Sequence, residues 1–399
     1  MNVMDVAHIK NSAAAMVSEI VALRRHLHAH PEISWEEVET SRLIASKLEE
    51  IGFRPRVGCD GKESGVVADL ECGAGPCVAL RADIDALPIN EESDLDYKSC
   101  RAGAMHACGH DAHAAMLLGA AKILHSLKDG LHGRIRFIFQ PAEEHGFRSG
   151  AKAMIEEGVL DGVDAIAGMH VWSHVPTGRV QWRTGPVMAC ADRWRVRFQG
   201  KGGHGAMPHK AVDPLVIAAN FILALQTIVS REVDPLETSV VSVGKLVSGE
   251  AVNVIPDSAE MIGNVRTFNP DVNRHIKEAF FRLAGNIAGA YRGSAEVDYD
   301  AVFPFPVVND GKLTDLFREV AARVVGESRV EESPALMTSE DFSYYQTRVP
   351  GVLFFLGAGS GEKGTTAPHH SPRFNIDDDA LPTGVSLLAS FACAALERL

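Results

Sequence analysis

The segment Met105-His106-Ala107-Cys108-Gly109-His110-Asp111 places a thiol and two imidazoles within five residues. Thiolate and imidazole are borderline-soft donors suited to zinc and neighbouring transition metals. By itself a Cys-x-His triplet fits a buried structural pair as well as a ligand pair. A second segment, Gln140-Pro141-Ala142-Glu143-Glu144, ends a run of strand character and presents two adjacent carboxylates. One could bind metal while its neighbour moves protons. A solvated acidic pair capping the next helix is the ordinary alternative. Against it, two like charges at a buried strand end are costly without a cation. The combined chemistry is metal-assisted hydrolysis.

Further groups could complete such a centre. His170 closes the apolar run Ala165 to Met169, and His369-His370 lies in a loop after Gly357-Ala358-Gly359. Asp83-Ile84-Asp85 sets two carboxylates on one side of an extended segment through the two-residue period of a strand. One of them could orient a ligand imidazole. Farther along stand His204 in Gly202-Gly203-His204-Gly205, Asn253, and Arg266 in Gly263 to Phe268. The glycine turn lacks the Gly-Lys-Ser/Thr ending of a phosphate loop. The guanidinium of Arg266 suits a substrate carboxylate or plain surface exposure equally.

These residues follow a recurring pattern. Strand-like runs at Pro76–Arg81, Arg134–Phe139, Ala165–Met169 and Val352–Leu356 are interleaved with helical patterns over Asp111–Leu127 and Gly150–Glu157. That rhythm predicts an α/β fold with a mostly parallel sheet covered by helices. The chemistry-bearing residues stand at the carboxyl ends of these runs, where open α/β sheets bind ligands. From Arg193 the order becomes strand, helix, strand, strand, helix, strand, the β-α-β-β-α-β arrangement of a four-stranded sheet with two helices on one face. Pro-marked breaks near Gly185-Pro186 and Phe303-Pro304-Phe305-Pro306 make this an inserted α+β lid or dimerisation domain over 187–302. The catalytic, metal-binding domain then comprises 1–186 and 303–399.

Length and composition agree. At 399 residues the chain exceeds the usual span of one core, so two domains are expected. A net charge of -13 excludes a phosphate-backbone footprint, hence no nucleic acid. No run approaches eighteen consecutive apolar residues, so no membrane is expected, and Met1–Ser18 lacks the basic and apolar regions of a signal peptide. Seven scattered cysteines point to reducing, cytoplasmic surroundings and structural thiols at Cys72 and Cys77.

Arg25–Glu32, Leu80–Pro88, Met105–Asp111, Phe139–Glu144, Gly202–Pro208, Asn253–Pro256 and Ser339–Phe342, in this order and nearly end to end, resemble the hippurate hydrolase and N-acyl-amino-acid amidohydrolase family. That family belongs to the aminoacylase and carboxypeptidase superfamily of dinuclear metallohydrolases. The resemblance implies two divalent ions per subunit (Zn, Mn, Ni or Co), with Cys108 bridging them and His110, Glu144, His170 and His370 completing the ligands. It implies Glu143 as general base and then acid, Asp85 as the group orienting a ligand, His204 as oxyanion stabiliser reaching a partner subunit's site, and Asn253 with Arg266 as holders of substrate oxygens. His370 is preferred to His369 because it heads the family-like His-Ser-Pro.

Where many superfamily members carry His-x-Asp followed by Pro, this chain has Asp83-Ile84-Asp85 with Pro88, and His110 stands in for the missing histidine. The expected activity is hydrolysis of a small-molecule N-acyl (aroyl or acyl) amino acid to a carboxylic acid and a free amino acid, by water held on the ions and activated by Glu143. A homodimer or homotetramer is expected. The rival readings are a dipeptidase or acetyl-amino-acid deacetylase, and a non-catalytic metal- or peptide-binding protein. The presence of Glu143 weighs against the last.

Overall fold

Alternating runs of buried Val, Ile, Leu and Phe can satisfy their backbone only by pairing, and in the computed structural model, which describes residues 6–399, they do so in one twisted sheet. Its strands are β1 (Arg56–Cys59), β2 (Lys62–Glu71), β3 (Cys77–Asp83), β4 (Arg134–Gln140), β5 (Ala165–Pro176) and β6 (Val180–Trp182), joined late in the chain by β11 (Val330–Glu332) and β12 (Gly351–Gly359). The order is β1-β2-β4-β3-β5-β12-β6-β11. The inner pairs β4–β3, β3–β5 and β5–β12 are parallel, whereas β1–β2, β2–β4 and β12–β6 are antiparallel. The mostly parallel α/β class is therefore correct, with an antiparallel hairpin at one edge that the charged, Gly-interrupted Lys62–Glu71 stretch did not announce.

The helices covering this sheet include α1 (Val6–Ala15), α2 (Val17–Ala29), α3 (Val38–Ile51), α4 (His110–Ser126), α5 (Gly150–Glu156), α8 (Gly311–Val325) and α9 (Leu381–Arg398), numbering α6 and α7 in the inserted segment below. Helix α4 is apolar nearly all round and packs against β3, α2 and α9. The last of these contacts is close, since a Cβ on Gly384 would lie 2.1 Å from Met116 Sδ and the methionine would have to move. Each fully buried residue such as Leu117, Phe137, Phe354 or Leu387 contributes roughly 1.5–3 kcal/mol of transfer free energy.

Register decides where the chemistry collects. Asp83 pairs with Gln140, and Arg81 pairs with Gly168, so Asp83, the end of β4 and His170 lie at one level. His170 falls inside β5, which runs on to Pro176, rather than just after its strand as the apolar run suggested. Beneath this level Arg81 is buried, donating from Nη1 to Asp83 (2.6 Å), from Nη2 to Asp341 (2.9 Å) and from Nε to Gln140 (2.8 Å). A buried guanidinium is tolerable only with such partners, and removing one of them costs about 3–5 kcal/mol.

The chain divides into two compact units. The first holds the described residues through Val187 together with Val307–Pro334 and Asp341–Leu399, and the second holds Met188–Pro306 with Ala335–Glu340. The breaks lie within a few residues of the Pro-marked positions, but 335–340 joins the second unit. Its backbone explains why: Ala189 donates to the carbonyls of Leu336 and Thr338. In the second unit β7 (Cys190–Gln199), β8 (Ser239–Val247), β9 (Ser258–Thr267) and β10 (Ser294–Phe303) form an antiparallel sheet in the order β8-β9-β7-β10. Helices α6 (Pro214–Thr227) and α7 (Pro270–Ala290) pack on it and on each other. Trp194, Phe198, Phe221 and Phe280 form that core.

Two described helical stretches are long and apolar enough to cross a membrane, Asp378–Arg398 and Pro214–Glu232. The first is mostly buried in the core of its unit, and the second buries one face on the small sheet. The expectation drawn from Met1–Ser18 rests partly on residues 1–5, which lie outside the described residues.

Candidate dinuclear metal centre

Cys108 and His110 converge because of the residue between them. Gly109 adopts φ +90°, and a Cβ there would sit 2.5 Å from Val171 Cγ2. Only glycine fits both demands. His110 opens α4, and its Nδ1 lies 3.0 Å from the Asp85 carbonyl and 3.1 Å from Asp85 Oδ1. These acceptors hold a ring proton on Nδ1, so the proton a cation would displace is the one on Nε2, which is buried and has no hydrogen-bond partner among the described residues. That is how ligand histidines are prepared for a metal. His170 is set similarly, with Nδ1 2.7 Å from the Val171 carbonyl and Nε2 3.5 Å from Cys108 Sγ.

The turn bearing the acidic pair is clamped on both sides. Ala142 takes φ +51°, a left-handed conformation uncommon for a residue with a side chain. Its N–H donates to Glu37 Oε1 (2.8 Å), and the Glu144 N–H donates to Asp85 Oδ2 (3.0 Å). Asp85 thus spans two segments, holding His110 with one oxygen and the Glu144 backbone with the other, where Ser34 Oγ also donates (2.7 Å). Burial raises the pKa of Asp85, but hydrogen bonds from His110, Ser34 and Glu144 bring it below the ordinary value, so it stays ionised. His370 also has a positive φ, +63°, and its N–H is pinned to the Ala107 carbonyl (2.9 Å). Its Nε2 lies 3.2 Å from Glu144 Oε1, and this contact raises the His370 pKa above the usual value.

Donor atoms gather in overlapping groups, each within 4.8 Å: Cys108, His110 and His170; Cys108, Glu144 and His370; and His110, Glu143 and Glu144. Cys108 belongs to two of the three. Burial and the charges of Glu144, Glu143 and Asp83 hold its thiol well above the usual range, so a thiolate there needs a cation beside it. Burial lowers the His110 pKa, yet Asp83 and Asp85 more than offset this and carry it to about 10. Orphaned Nε2, paired carboxylates and a buried thiol fit divalent cations and little else.

All seven expected residues of the first unit (Asp85, Cys108, His110, Glu143, Glu144, His170 and His370) are thereby brought together. In the second unit His204 pairs with Val254, and Gly205 N–H donates to the Asn253 carbonyl (2.8 Å), so His204 and Asn253 share one exposed loop structure. His204 Nδ1 accepts from the Ala206 N–H (3.0 Å), directing its ring proton to Nε2. Arg266 stands apart on β9, donating to Ser339 Oγ (2.7 Å) and the Met337 carbonyl (3.3 Å).

Several residues beside the centre went unread in the sequence. His113 sits one turn beyond His110, with Nδ1 2.5 Å from Asp83 Oδ1 and Nε2 accepting from the Val171 N–H (2.9 Å). A histidine at this spacing in an otherwise apolar helix was the available signal. Glu37 offered none, because its partner is a backbone amide 105 positions away. Burial and the nearby Asp85 push its pKa up to about 8.

Glu37 therefore binds its proton more tightly in the fold than in the unfolded chain. Its contribution to stability is complete below the ordinary carboxylate range and is lost as pH rises toward about 8. Glu37→Gln, a neutral isostere, is expected to flatten that fall in Tm between pH 5 and pH 8.5. Parallel profiles for variant and wild type would disprove it.

A sequence model of peptidase family M20/M25/M40 matches residues 79–394. The chain belongs to this family. Family relatives include thermostable carboxypeptidase 2 of Saccharolobus solfataricus, 40% identical over 95% of this chain and 96% of that protein. N-acetyl-L-cysteine deacetylase of Bacillus subtilis is 43% identical over 92% of this chain and 86% of that protein. Among solved family structures, the YXEP protein of Bacillus subtilis, a dinuclear metal binding peptidase from the M20 family, superposes with a TM-score of 0.82 at 36% identity, covering 97% of this chain and 100% of that one. Family membership, that dinuclear relative and the donor groups described above support a metallo-amidohydrolase with two divalent ions.

Proposed function

We propose that this protein hydrolyses the amide bond of N-acyl amino acids, releasing a carboxylic acid and a free amino acid. The observation that carries the reading is the cluster in which Cys108 joins two donor groups while the Glu143 carboxylate lies within 4.8 Å of His110 and Glu144 donors. Cys108, His110, Glu144, His170 and His370 are assigned as the residues that hold the ions. When bound, the ions acidify water and polarise the amide carbonyl.

Glu143 accepts the proton from the attacking water and returns it to the departing nitrogen. Asp85 fixes the tautomer of His110 and the turn carrying Glu144. His204, with its free Nε2 proton, is assigned to the oxyanion, and Asn253 and Arg266 to substrate oxygens. The name of the Bacillus subtilis deacetylase favours an acyl amino acid as substrate, and that of the carboxypeptidase favours a peptide. Incubating the metal-loaded protein with benzoyl-glycine, acetyl-amino acids and dipeptides, and measuring free amino acid, separates them. Turnover of dipeptides alone would overturn the N-acyl reading.

A homodimer through the second unit is part of the same proposal. Its edge strand β8 exposes Val240, Leu246 and Val247, and α6 exposes Leu215, Val216 and Leu223. Unpaired edges and apolar patches of this kind are commonly covered by a partner. Light scattering is expected to give a dimer, and a strict monomer would remove this part. Seven free cysteines suit a reducing, cytoplasmic setting.

A further inference from the structure

The histidine doublet is divided between two tasks. His370 faces Glu144, whereas His369 turns the other way and joins none of the candidate ligand groups among the described residues. Its Nδ1 lies 3.7 Å from Cys108 Sγ, and its Nε2 receives the Ser173 N–H at 3.3 Å. An amide N–H can only donate, so Nε2 must offer its lone pair. The one proton of the neutral ring then resides on Nδ1 and points at sulfur.

Packing holds the ring in this attitude. Trp172 meets it edge-on at 4.6 Å between centroids, Phe374 lies at 4.6 Å and His170 at 5.4 Å. Ser173 Oγ anchors the same loop by donating to the Ala367 carbonyl (2.7 Å).

We propose that His369 is a positioning residue which donates an Nδ1–H hydrogen bond to the Cys108 thiolate and limits the electron density that sulfur passes to the ions. The inference rests on the reading of Cys108 as a metal ligand. A thiolate that accepts a hydrogen bond is a weaker donor, so the cation it binds keeps more of its Lewis acidity. The same bond also lowers the cost of holding a full negative charge on a buried sulfur between carboxylates.

The test uses the full-length protein loaded with Co(II), whose thiolate-to-cobalt charge-transfer absorption reports sulfur directly. His369→Phe fills the ring's space without a donor, and His369→Asn replaces the Nδ1–H with an amide N–H at nearly the same place. In His369→Phe the band is expected at lower energy with two ions still bound. Its kcat should fall roughly 10-fold to 100-fold at little change in KM, the range typical of groups behind a metal ligand. His369→Asn should move band and kcat back toward wild type.

A band unmoved in His369→Phe would overturn the proposal. So would loss of one ion, which would make His369 a ligand itself. A wild-type protein that binds two cobalt ions without the band would instead refute Cys108 as ligand, a failure of the underlying reading that is separately visible. Should His369→Phe not fold, the nitrogen-15 shifts of His369 in zinc-loaded wild type decide the matter, since an unprotonated Nδ1 is incompatible with the proposal.

Discussion

Glu143→Gln is expected to leave folding and metal content unchanged while reducing kcat by about 10²–10⁴, the usual contribution of a positioned proton-transfer group. The substitution keeps shape and hydrogen-bonding reach but removes the ability to take up a proton. It isolates proton transfer because the neighbouring carboxylate is the one placed against the ligand set. Glu144 shares donor groups both with Cys108 and His370 and with His110, whereas among these ligands Glu143 shares only the group with His110 and Glu144. The turn holding both is secured through backbone amides by Glu37 and Asp85, neither of which touches the Glu143 carboxylate through those bonds.

Glu144→Gln should consequently behave differently, losing bound metal together with activity. A change of 10³ in kcat corresponds to about 4 kcal/mol in barrier height, well beyond what a small shift of substrate position would cause here. Metal analysis by plasma spectrometry alongside steady-state kinetics would decide it. Activity within tenfold of wild type in Glu143→Gln would rule out this residue as the base, and equal metal loss in both variants would erase the distinction between them.

Elements whose periodicity coincides with burial were legible in the sequence. The inner strands β3, β5 and β12 are buried on both faces over most of their length and could be read as largely apolar runs, whereas β4 alternates half-buried Arg134 and Arg136 with buried Ile135 and Phe137. The rule that ligands bind at carboxyl ends of such strands pointed to Asp85, Glu143 and Glu144 without any knowledge of distances, whereas His170 lies inside β5. What stayed hidden depends on contacts that no local pattern encodes. Asp85 could be suspected of orienting a histidine, but its simultaneous hold on the Glu144 amide is a tertiary fact. The choice of His370 over His369 rested on a motif, while the structure distinguishes the two rings by an acceptor role toward the Ser173 amide. The return of 335–340 to the second unit likewise hinges on backbone bonds from Ala189, which apolar runs and proline breaks do not report.

Chelation should abolish turnover and destabilise the first unit, and both effects should reverse on adding a divalent ion. Apart from the exposed His370, the carboxylates, imidazoles and thiol of the centre are buried or half-buried, so their mutual repulsion and lost hydration are relieved chiefly by bound cations. An ion present at 100 to 1,000 times its dissociation constant adds about 2.7–4.1 kcal/mol to the state that binds it. For a unit of this size that is roughly 5–8 °C in Tm. The second unit has its own aromatic core around Trp194, Phe221 and Phe280, and its unfolding should respond little to chelator in the same calorimetric scan.

Proton linkage supplies an independent check of the ligands. Without a cation, burial and nearby carboxylates keep the Cys108 thiol protonated, and Asp83 and Asp85 hold the proton of His110 up to about pH 10. Both must lose a proton to coordinate, so reloading at pH 7.5 should release protons and affinity should rise with pH. Titration calorimetry in buffers of different ionisation enthalpy measures that release. Affinity independent of pH from 6 to 8.5, or a Tm unmoved by complete chelation, would mean that these side chains do not hold the ions, because groups so strongly protonated could not bind metal without giving their protons to solvent.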